Sequence, residues 1–408
     1  MSVPPPWRPA PTRSRALGPD VARGLMLWVI AVANITVWIW LPGPVGGPRE
    51  RPLGEGATRM AWTADDVVNV AMSALVDGRG FPLFSFLVGY GVGQIALRET
   101  ARGAPPPVVR GLLLRRYGWL VPIGALHACL LFPGDIITAY AVGGLVLALL
   151  VADSTRLLVG LAAAGTVLVF LYGAADGAVA DPSAAFPSLH AETLEQRFAS
   201  GLLEGLVVVL FAPFQLLGLL PMMLAGLALS RYRVLEDPAP RRWTLLLAAA
   251  GGIGLGLLTG TGTGLLTTGM IDPPPPVHAA LTGADAVAGA AQGIGYAFVI
   301  ALVCERAVRR PGGAGPVRAR EQPVLWALQA LGRRSMSGYL AQSVLFTVLL
   351  PPFALGLGRA LTPTSALLIG TAVWLVTLLG AVLLERRSLP GPAEAAHRRL
   401  HLGQPLGS

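Results

Sequence analysis

The chain has 408 residues, of which 53% are hydrophobic and only 13% are charged, and its mean hydropathy is +0.62. A water-soluble protein of this length carries about a quarter charged residues, so this composition excludes one. The net formal charge of +9 comes from arginine alone, since the sequence has no lysine. These arginines are scattered between apolar segments, which argues against a nucleic-acid-binding face.

Apolar stretches recur along the sequence, and each is long enough to cross a hydrocarbon core of about 30 Å as a helix. Because backbone groups in lipid must pair within their own segment, we predict an all-α, polytopic transmembrane helical bundle with about ten spans. The predicted spans are residues 24–41, 81–97, 112–132, 136–152, 157–174, 205–229, 243–260, 284–304, 336–355 and 364–384. We interpret the first run as an uncleaved span rather than a signal peptide, because it is too long for one.

The arginines divide unequally between the two sides of these spans. The segments on the side of the N-terminus, counted with the adjoining ends of the spans, contain 25 arginines and 9 acidic residues. The segments on the opposite side contain 6 arginines and 13 acidic residues. Since basic residues accumulate in the cytoplasm, this asymmetry predicts that both termini are cytoplasmic. The chain then divides into a cytoplasmic N-terminus (1–23), a transmembrane domain (24–385) and a cytoplasmic tail (386–408).

Three connections between spans have a composition of their own. Residues 42–80 are predicted to contain an interfacial or re-entrant helix, because apolar residues recur there at helical spacing beside aspartates. Residues 261–283 end in a proline run, which predicts an extended segment outside the membrane. Residues 309–322 are predicted to form a basic linker that faces anionic lipid.

His127 lies inside the third span, and Asp135 follows on the tight turn into the fourth. An ionisable side chain at that depth is expected to face the protein interior or a wet cavity. The short connection predicts that the imidazole and the carboxylate meet, directly or through water, as a general base requires for its orientation. The alternative is structural: His127 is an interhelical hydrogen-bonding residue, and Asp135 is a helix N-cap.

Other polar residues at the spans are candidates for a substrate path or a donor-binding site. Asp20 and Arg23 share a helix face at the start of the first span, where Arg23 alternatively anchors the topology. Asn34 lies deeper in that span, and Arg79 lies at the edge of the second. The ninth span is unusually polar, which favours an interior path; its candidates are Arg333, Ser337, Tyr339, Gln342 and Ser343.

The sequence predicts no metal site and no bound cofactor. His190, Glu192 and Glu195 form a solvated loop in our interpretation, because a single histidine among loop carboxylates offers too few ligands. The two cysteines, Cys129 and Cys304, lie in apolar segments and cannot build a disulfide framework. A phosphate-binding G-x-x-x-x-G-K-[ST] loop, an H-E-x-x-H motif and a G-x-S-x-G elbow are all missing from the sequence.

Several segments together resemble a known family. They are DVARG, FPLFSFLVGYG, LLRRYGWLVPIGALHACLLFPGDIITAYAVGGL, GRRSMSGYLAQS and GPAEAAHRR, in that order between about residues 17 and 400. This set resembles the bacterial YeiB-like membrane family that is named for domain of unknown function 418. That family is similar to transmembrane acyltransferases, including the heparan-glucosaminide acetyltransferase type, which place a catalytic histidine before the second span; this chain has no histidine before His127.

The resemblance implies transfer of an acyl group from a cytoplasmic thioester donor, such as acyl-CoA, to an acceptor at the membrane or outer face. In that reading His127, assisted by Asp135, accepts the proton of an acceptor hydroxyl or amine. Two alternatives stay open, namely a transporter of a small metabolite or envelope precursor and a noncatalytic protein of envelope assembly. The expected partners are the lipid bilayer and a small or lipid-linked substrate; the oligomeric state is not predicted.

Overall fold

The computed structural model describes residues 17–38, 62–176, 186–308 and 321–403, and within these ranges it contains helices and turns but no β-strand. The predicted all-α class is therefore confirmed. Fourteen α-helices are described: α1 Leu17–Asn34, α2 Ala64–Leu75, α3 Gly80–Thr100, α4 Pro106–Gly118, α5 Leu120–Leu130, α6 Ile137–Leu150, α7 Thr155–Asp176, α8 Leu194–Ser230, α9 Arg242–Thr267, α10 Pro275–Val308, α11 Pro323–Gly332, α12 Ser335–Leu349, α13 Pro363–Arg386 and α14 Pro392–Leu402.

Among the described residues, seven helical segments are long and apolar enough to cross a membrane. They are Leu17–Trp38, Ala64–Thr100, Thr155–Ala175, Leu194–Ser230, Ala239–Thr267, Pro275–Val308 and Pro363–Arg386. Each contains most or all of one predicted span. The other three predicted spans, 112–132, 136–152 and 336–355, coincide with shorter helices, namely the pair α4–α5, α6 and α12.

Three predicted boundaries are wrong, namely the start of α8, the end of α9 and the start of α10, and the two wrong starts have a local cause. Helix α8 begins at Leu194 rather than at residue 205, because Thr193 and Gln196 form a capping box that starts the helix within the predicted loop. Helix α9 continues to Thr267, and α10 begins at Pro275 within the proline run. Proline is tolerated in the first turn of a helix, where its missing N–H would have no partner. The predicted external segment 261–283 is thus reduced to residues 268–274.

Two other predicted connections have different outcomes. The helix expected within 42–80 is α2, which Thr63 and Asp66 start with a second capping box. The predicted basic linker lies almost entirely outside the described residues, which resume at residue 321.

Helix α1 lies at the centre of the bundle. Met26, Leu27 and Ile30 are each at most 2% exposed, and α1 packs against α3, α10, α11, α12 and α13. Helices α3 and α8 approach closely, since a Cβ on Gly89 would lie 1.8 Å from the carbonyl oxygen of Met223. Small residues allow this kind of approach between membrane helices. The buried centre and the apolar outer surface of α8, where Leu202 and Leu210 are exposed, are consistent with a lipid-facing bundle.

The two ends of the bundle are named here by the residues they carry. The proximal end contains Asp20 at the start of α1 and Glu385 at the end of α13. The distal end contains Asp65 of α2, whose carboxylate accepts hydrogen bonds from Thr364 at the start of α13. Helices α4 and α5 are two parts of one bent segment that runs from the proximal end toward the distal end. They divide at Trp119, because Pro122 has no N–H for the carbonyl group of Gly118.

Candidate functional site

The site is built around His127, whose two ring nitrogens are both engaged. Nδ1 lies 2.8 Å from Oδ1 of Asp135, and Nε2 lies 2.9 Å from Oγ of Ser343. His127 is in the last turns of α5, Asp135 is in the turn before α6, and Ser343 is in the middle of α12. The structure therefore brings together Asp135, His127 and Ser343, which we call the triad.

Asp135 is fixed by the start of α6. Its Oδ1 accepts a hydrogen bond from the backbone N–H of Ile137 at 3.1 Å, and its Oδ2 accepts from both the N–H and the hydroxyl of Thr138, each at 2.8 Å. Asp135 thus binds N–H groups in the first turn of α6, whose N-cap residue is Ile136, and it also contacts the histidine.

The hydrogen-bond network assigns the tautomer of His127. Because the Asp135 carboxylate only accepts, Nδ1 of His127 carries the proton and donates it. Nε2 is then the acceptor, and the hydroxyl of Ser343 donates to it. The backbone carbonyl of Tyr339, 3.3 Å from the Ser343 hydroxyl, is the more distant alternative acceptor for the same single proton. This order of carboxylate, imidazole and hydroxyl is the arrangement that activates a serine or another hydroxyl as a nucleophile.

The triad is enclosed. The side chains of His127 and Asp135 have no accessible surface, and Ser343 is 4% exposed. The Tyr339 ring lies 5.0 Å from the His127 ring, and the Phe132 ring lies 6.4 Å from it at a steep angle. A substrate therefore reaches these atoms only when neighbouring side chains or helices move.

Buried polar atoms without hydrogen-bond partners lie beside the triad and at the proximal end. Gln342 donates to the carbonyl of Leu27 at 3.2 Å, but its Oε1 is buried without a partner. Oδ2 of Asp20 is also buried without one. Asn34, the last residue of α1, is 9% exposed. Buried groups of this kind usually bind water or a ligand, because an unsatisfied polar atom is costly.

Asp20 and Arg23 form an ion pair at the proximal end, with 3.1 Å between Oδ1 and Nη1. Arg23 also donates to the carbonyl of Leu87 at 3.4 Å. The helix face that the sequence predicts for the two residues is therefore present. Asp20 is 1% exposed, and its second oxygen is the partnerless one noted above.

Arg79 is saturated by contacts inside the protein. Its guanidinium donates to both oxygens of Asp285, at 2.7 and 3.0 Å, and to Oε1 of Gln292 at 2.8 Å. The remaining donors bind the carbonyl groups of Gly256 and Asp77. With all five N–H groups in use, Arg79 joins the turn before α3 to α9 and α10. Its predicted place on a substrate path stays a prediction.

The other predicted arginine and serine lie in a network at the proximal end. Arg333 and Arg334 each bind one oxygen of Glu385, at 2.7 and 2.6 Å. Ser337, in the first turn of α12, donates to Glu394 of α14, which also accepts from the N–H of Met336 at 2.8 Å. Glu394 thus satisfies free N–H groups at the start of α12, the helix that carries Ser343.

Two buried histidines of helix α14 lie on its side toward α4, and one of them binds α4 directly. The ring of His397 donates from Nε2 to the carbonyl of Arg116 at 2.7 Å, and His401 donates from Nδ1 to the carbonyl of His397 at 2.7 Å. Burial, and then the positive charge of Arg116, lowers the pKa of each histidine to about 4. Both imidazoles are therefore neutral at pH 7.

Sequence reasoning missed Arg197, which lies in the first turns of α8 and is 2% exposed. Its Nη2 donates to the carbonyls of Leu130 and Leu131 at the end of α5, at 3.3 and 2.8 Å. The signal that would have found it is the T-x-x-Q capping box at residues 193–196, because an arginine one position later lies on a helix rather than in a loop.

Two of the residues that were considered for a metal site have other structural surroundings. Glu192 pairs with Arg359 at 2.8 Å, and His190 lies in a 3-10 turn before α8. Within the described ranges, no group of three His, Cys, Asp or Glu residues is arranged to hold a metal ion.

The C-terminal part of the chain matches a known family. Residues 229–404 match the family model described as Protein of unknown function (DUF418), which confirms for this region the resemblance stated from the sequence. The match includes Ser343 and the α14 network, whereas His127 and Asp135 precede it. No curated protein matches the chain.

Proposed function

We propose that this protein is a membrane-embedded acyltransferase that moves an acyl group from a thioester donor to an acceptor hydroxyl or amine. The observation that carries the proposal is the engagement of both nitrogens of His127, with Asp135 at 2.8 Å and Ser343 at 2.9 Å. A buried carboxylate orients the imidazole, and the imidazole faces a hydroxyl group. General bases that activate nucleophiles have this geometry.

In the proposed reaction Ser343 carries the acyl group. Its Oγ attacks the carbonyl carbon of the thioester while Nε2 of His127 takes the hydroxyl proton. The C–S bond then breaks, and the sulfur leaves as a thiol with the proton from His127. Asp135 stabilises the imidazolium that exists between these two events.

The second half of the reaction reverses the roles. The acceptor hydroxyl or amine attacks the acyl-serine ester, and His127 takes the acceptor's proton. The proton passes to Oγ of Ser343 as the ester bond breaks, so that the free serine is restored and no other reactant is consumed. The enclosed site excludes water, which would otherwise compete with the acceptor.

The donor and the acceptor are proposed to arrive from opposite ends. The proximal end carries Arg23, Arg333 and the exposed Arg398 and Arg399 of α14, whose charge suits the phosphates of acyl-CoA. The partnerless oxygen of Asp20 lies at that end, and the partnerless oxygen of Gln342 lies on α12 directly before Ser343. They supply polar partners along the route that the acyl thioester would take.

The test is acyl transfer by the full-length protein in proteoliposomes, with radiolabelled acetyl-, succinyl- and palmitoyl-CoA as donors. Without an acceptor, we expect label to remain on the protein as an ester. His127→Ala should abolish labelling, and His127→Gln, which keeps more of the packing, should abolish it as well. Thr166→Val, whose hydroxyl only binds its own helix at 2.6 Å, is the control. Full labelling of both His127 variants would eliminate the proposal.

A transporter is the second candidate, and one observation favours it. The helical segment that carries the buried His127 is interrupted at Trp119, between α4 and α5, as are the discontinuous helices of many transporters. Solute uptake or efflux by proteoliposomes with no covalent product would favour this function. Label passing from donor to acceptor would favour the enzyme.

We also propose the finer topology. In it, α4–α5, α6 and α12 complete ten spans, and both termini lie in the cytoplasm of a bacterium whose plasma membrane holds the protein. The excess of arginine on one side of the bundle supports this orientation. A protease site fused after Gly403 should be protected in intact spheroplasts and cut after lysis. Cleavage in intact spheroplasts would contradict the orientation.

A further inference from the structure

Arg197 is a buried cation that its neighbours leave partly unsatisfied. Nη2 binds two backbone carbonyls, but Nε and Nη1 are buried and have no hydrogen-bond partner. One N–H group on Nε and two on Nη1 therefore lack acceptors. Leaving donors of a charged group unsatisfied is among the more costly features of a folded protein.

The carboxylate of Glu204 attracts the Arg197 guanidinium by its charge but accepts no hydrogen bond from it. Glu204, further along α8, exerts an attractive charge on Arg197. Its oxygens, however, accept hydrogen bonds from the N–H of Ser188, at 2.8 Å, and from the Ser188 hydroxyl. The N–H groups on Nε and Nη1 of Arg197 therefore have no acceptor within the described part of the protein.

Arg197 lies beside the triad on its distal side. The carbonyl oxygen of Leu131, which accepts from Nη2 at 2.8 Å, also lies 3.4 Å from the hydroxyl of Thr347. Thr347 is one helical turn beyond Ser343 on α12, and its hydroxyl binds the Ser343 carbonyl at 2.8 Å. One shared oxygen atom thus connects the guanidinium to the turn of helix that carries the proposed nucleophile.

The backbone leaves room for the guanidinium. A Cβ on Gly201, one turn after Arg197 on α8, would lie 2.2 Å from Nη1 and 2.9 Å from the carbonyl oxygen of Cys129. Only glycine therefore permits Nη1 to occupy its present position. Any larger residue would move the guanidinium without removing its charge.

We propose that Arg197 binds an anionic group, a carboxylate or a phosphate, of the acceptor substrate. This site rests on the proposed function, because its role is to hold the acceptor's hydroxyl or amine near Ser343. Arginine suits it, since the guanidinium stays charged when buried and makes charge-assisted hydrogen bonds with carboxylate and phosphate oxygens. Sugar acids, phosphorylated sugars and lipid phosphates all offer this chemistry.

The test measures anion binding without any acyl transfer. The thermal unfolding midpoint of the full-length protein is followed in neutral-lipid nanodiscs with sodium orthophosphate or acetate, against sodium chloride at the same ionic strength. We expect a saturable rise of the midpoint with at least one of the two anions, because a ligand that binds only the folded state stabilises it. A second arm replaces the soluble anion with phosphatidylglycerol in the nanodisc, and a rise there alone identifies a lipid headgroup as the source.

Two variants and a control locate the effect. Arg197→Gln should weaken the apparent affinity about 10- to 100-fold, the range for losing hydrogen bonds to a charged group, and Gly201→Ala should weaken it with the charge kept. Arg359→Gln removes an exposed arginine of the distal end and should leave it unchanged. No rise above chloride in either arm of the wild-type experiment overturns the proposal, and so does a rise that is equal in Arg197→Gln. His127→Ala should keep the anion effect, which separates this site from failure of the acyltransferase function.

Discussion

Thr138 binds one oxygen of Asp135 twice, through its backbone N–H and its hydroxyl, each at 2.8 Å. That oxygen is Oδ2, so Oδ1 is left to face the imidazole of His127. The position of the carboxylate is thus set by the start of α6, and Thr138 is a positioning residue.

Replacing Thr138 by valine should slow acyl transfer about tenfold. The change removes one hydrogen bond to a charged group, which contributes about 1.5–3 kcal/mol, and part of that loss appears as poorer orientation of His127. Initial rates over a range of donor concentrations should show a lower kcat with KM nearly unchanged. Thr138→Ser should restore the rate, because it restores the hydroxyl; a variant Thr138→Ser as slow as Thr138→Val would refute the positioning role.

Replacing Ser343 by alanine should abolish the acyl-protein intermediate. Without Oγ no ester forms, so a donor incubated without acceptor should leave no adduct on the peptide that contains residue 343, as measured by mass spectrometry. Ser230→Ala is the matched control, because Ser230 is also buried and its hydroxyl binds its own helix at 2.6 Å. An adduct that persists in Ser343→Ala would place the acyl group elsewhere.

Replacing Gly124 by alanine should destabilise the contact between α5 and α6. A Cβ there would lie 2.4 Å from the hydroxyl of Thr138 and 2.9 Å from Oδ2 of Asp135, so the helices would have to separate. Overpacking of this kind costs about 1–3 kcal/mol. Gly111→Ala is the control, since its Cβ meets nothing within 4 Å and the change should be neutral or stabilising. Equal unfolding midpoints for the two variants in detergent would contradict the packing argument.

Replacing Arg79 by methionine should lower the free energy of unfolding by about 3–5 kcal/mol, because it leaves Asp285 as a buried charge without its partner. The double variant Arg79→Met with Asp285→Asn should recover part of that loss. Denaturant titration in detergent measures both. Arg359→Ala, which breaks a pair with side chains 49% and 63% exposed, should cost less than about 1 kcal/mol.

Acidification should detach helix α14. The pKa values of His397 and His401 are about 4 in the folded protein, below the ordinary value of 6.5. The detached helix binds more protons, so the stabilisation is complete above about pH 6.5 and is lost as the pH falls toward 4. Hydrogen exchange of residues 392–402 should accelerate over that range. In a variant with both histidines changed to glutamine the acceleration should be much smaller; an unchanged pH profile would exclude the histidines as the cause.

The contact of His127 with Asp135 could be predicted from the sequence, whereas the contact of His127 with Ser343 could not. The first two residues are 8 apart and joined by a tight turn, so local geometry alone brings them close. Ser343 is 216 residues from His127, and the sequence indicated only that its helix faces the interior. The approach of α5 to α12 depends on how α5 packs against α6 and α8 and on how α12 packs against α1 and α13, and no periodicity encodes that.

The fold shows the same division between local and long-range information. Hydropathy located the seven long helical segments, because burial in lipid requires long apolar runs. It misplaced the starts of α8 and α10, where Thr193 and Pro275 begin helices by local capping rather than by hydropathy. The sequence offered Arg79 as a candidate for a substrate path or donor site, but it could not indicate the distant partners Asp285 and Gln292 that bind its guanidinium.

The absence of any accessible surface on the His127 and Asp135 side chains has a kinetic consequence for an acyltransferase. Each turnover would need the helices to part and close again, so that opening rather than bond making would limit the rate. In the closed state an ester on Ser343 would be shielded from hydrolysis. Little acyl donor would therefore be hydrolysed before the acceptor binds.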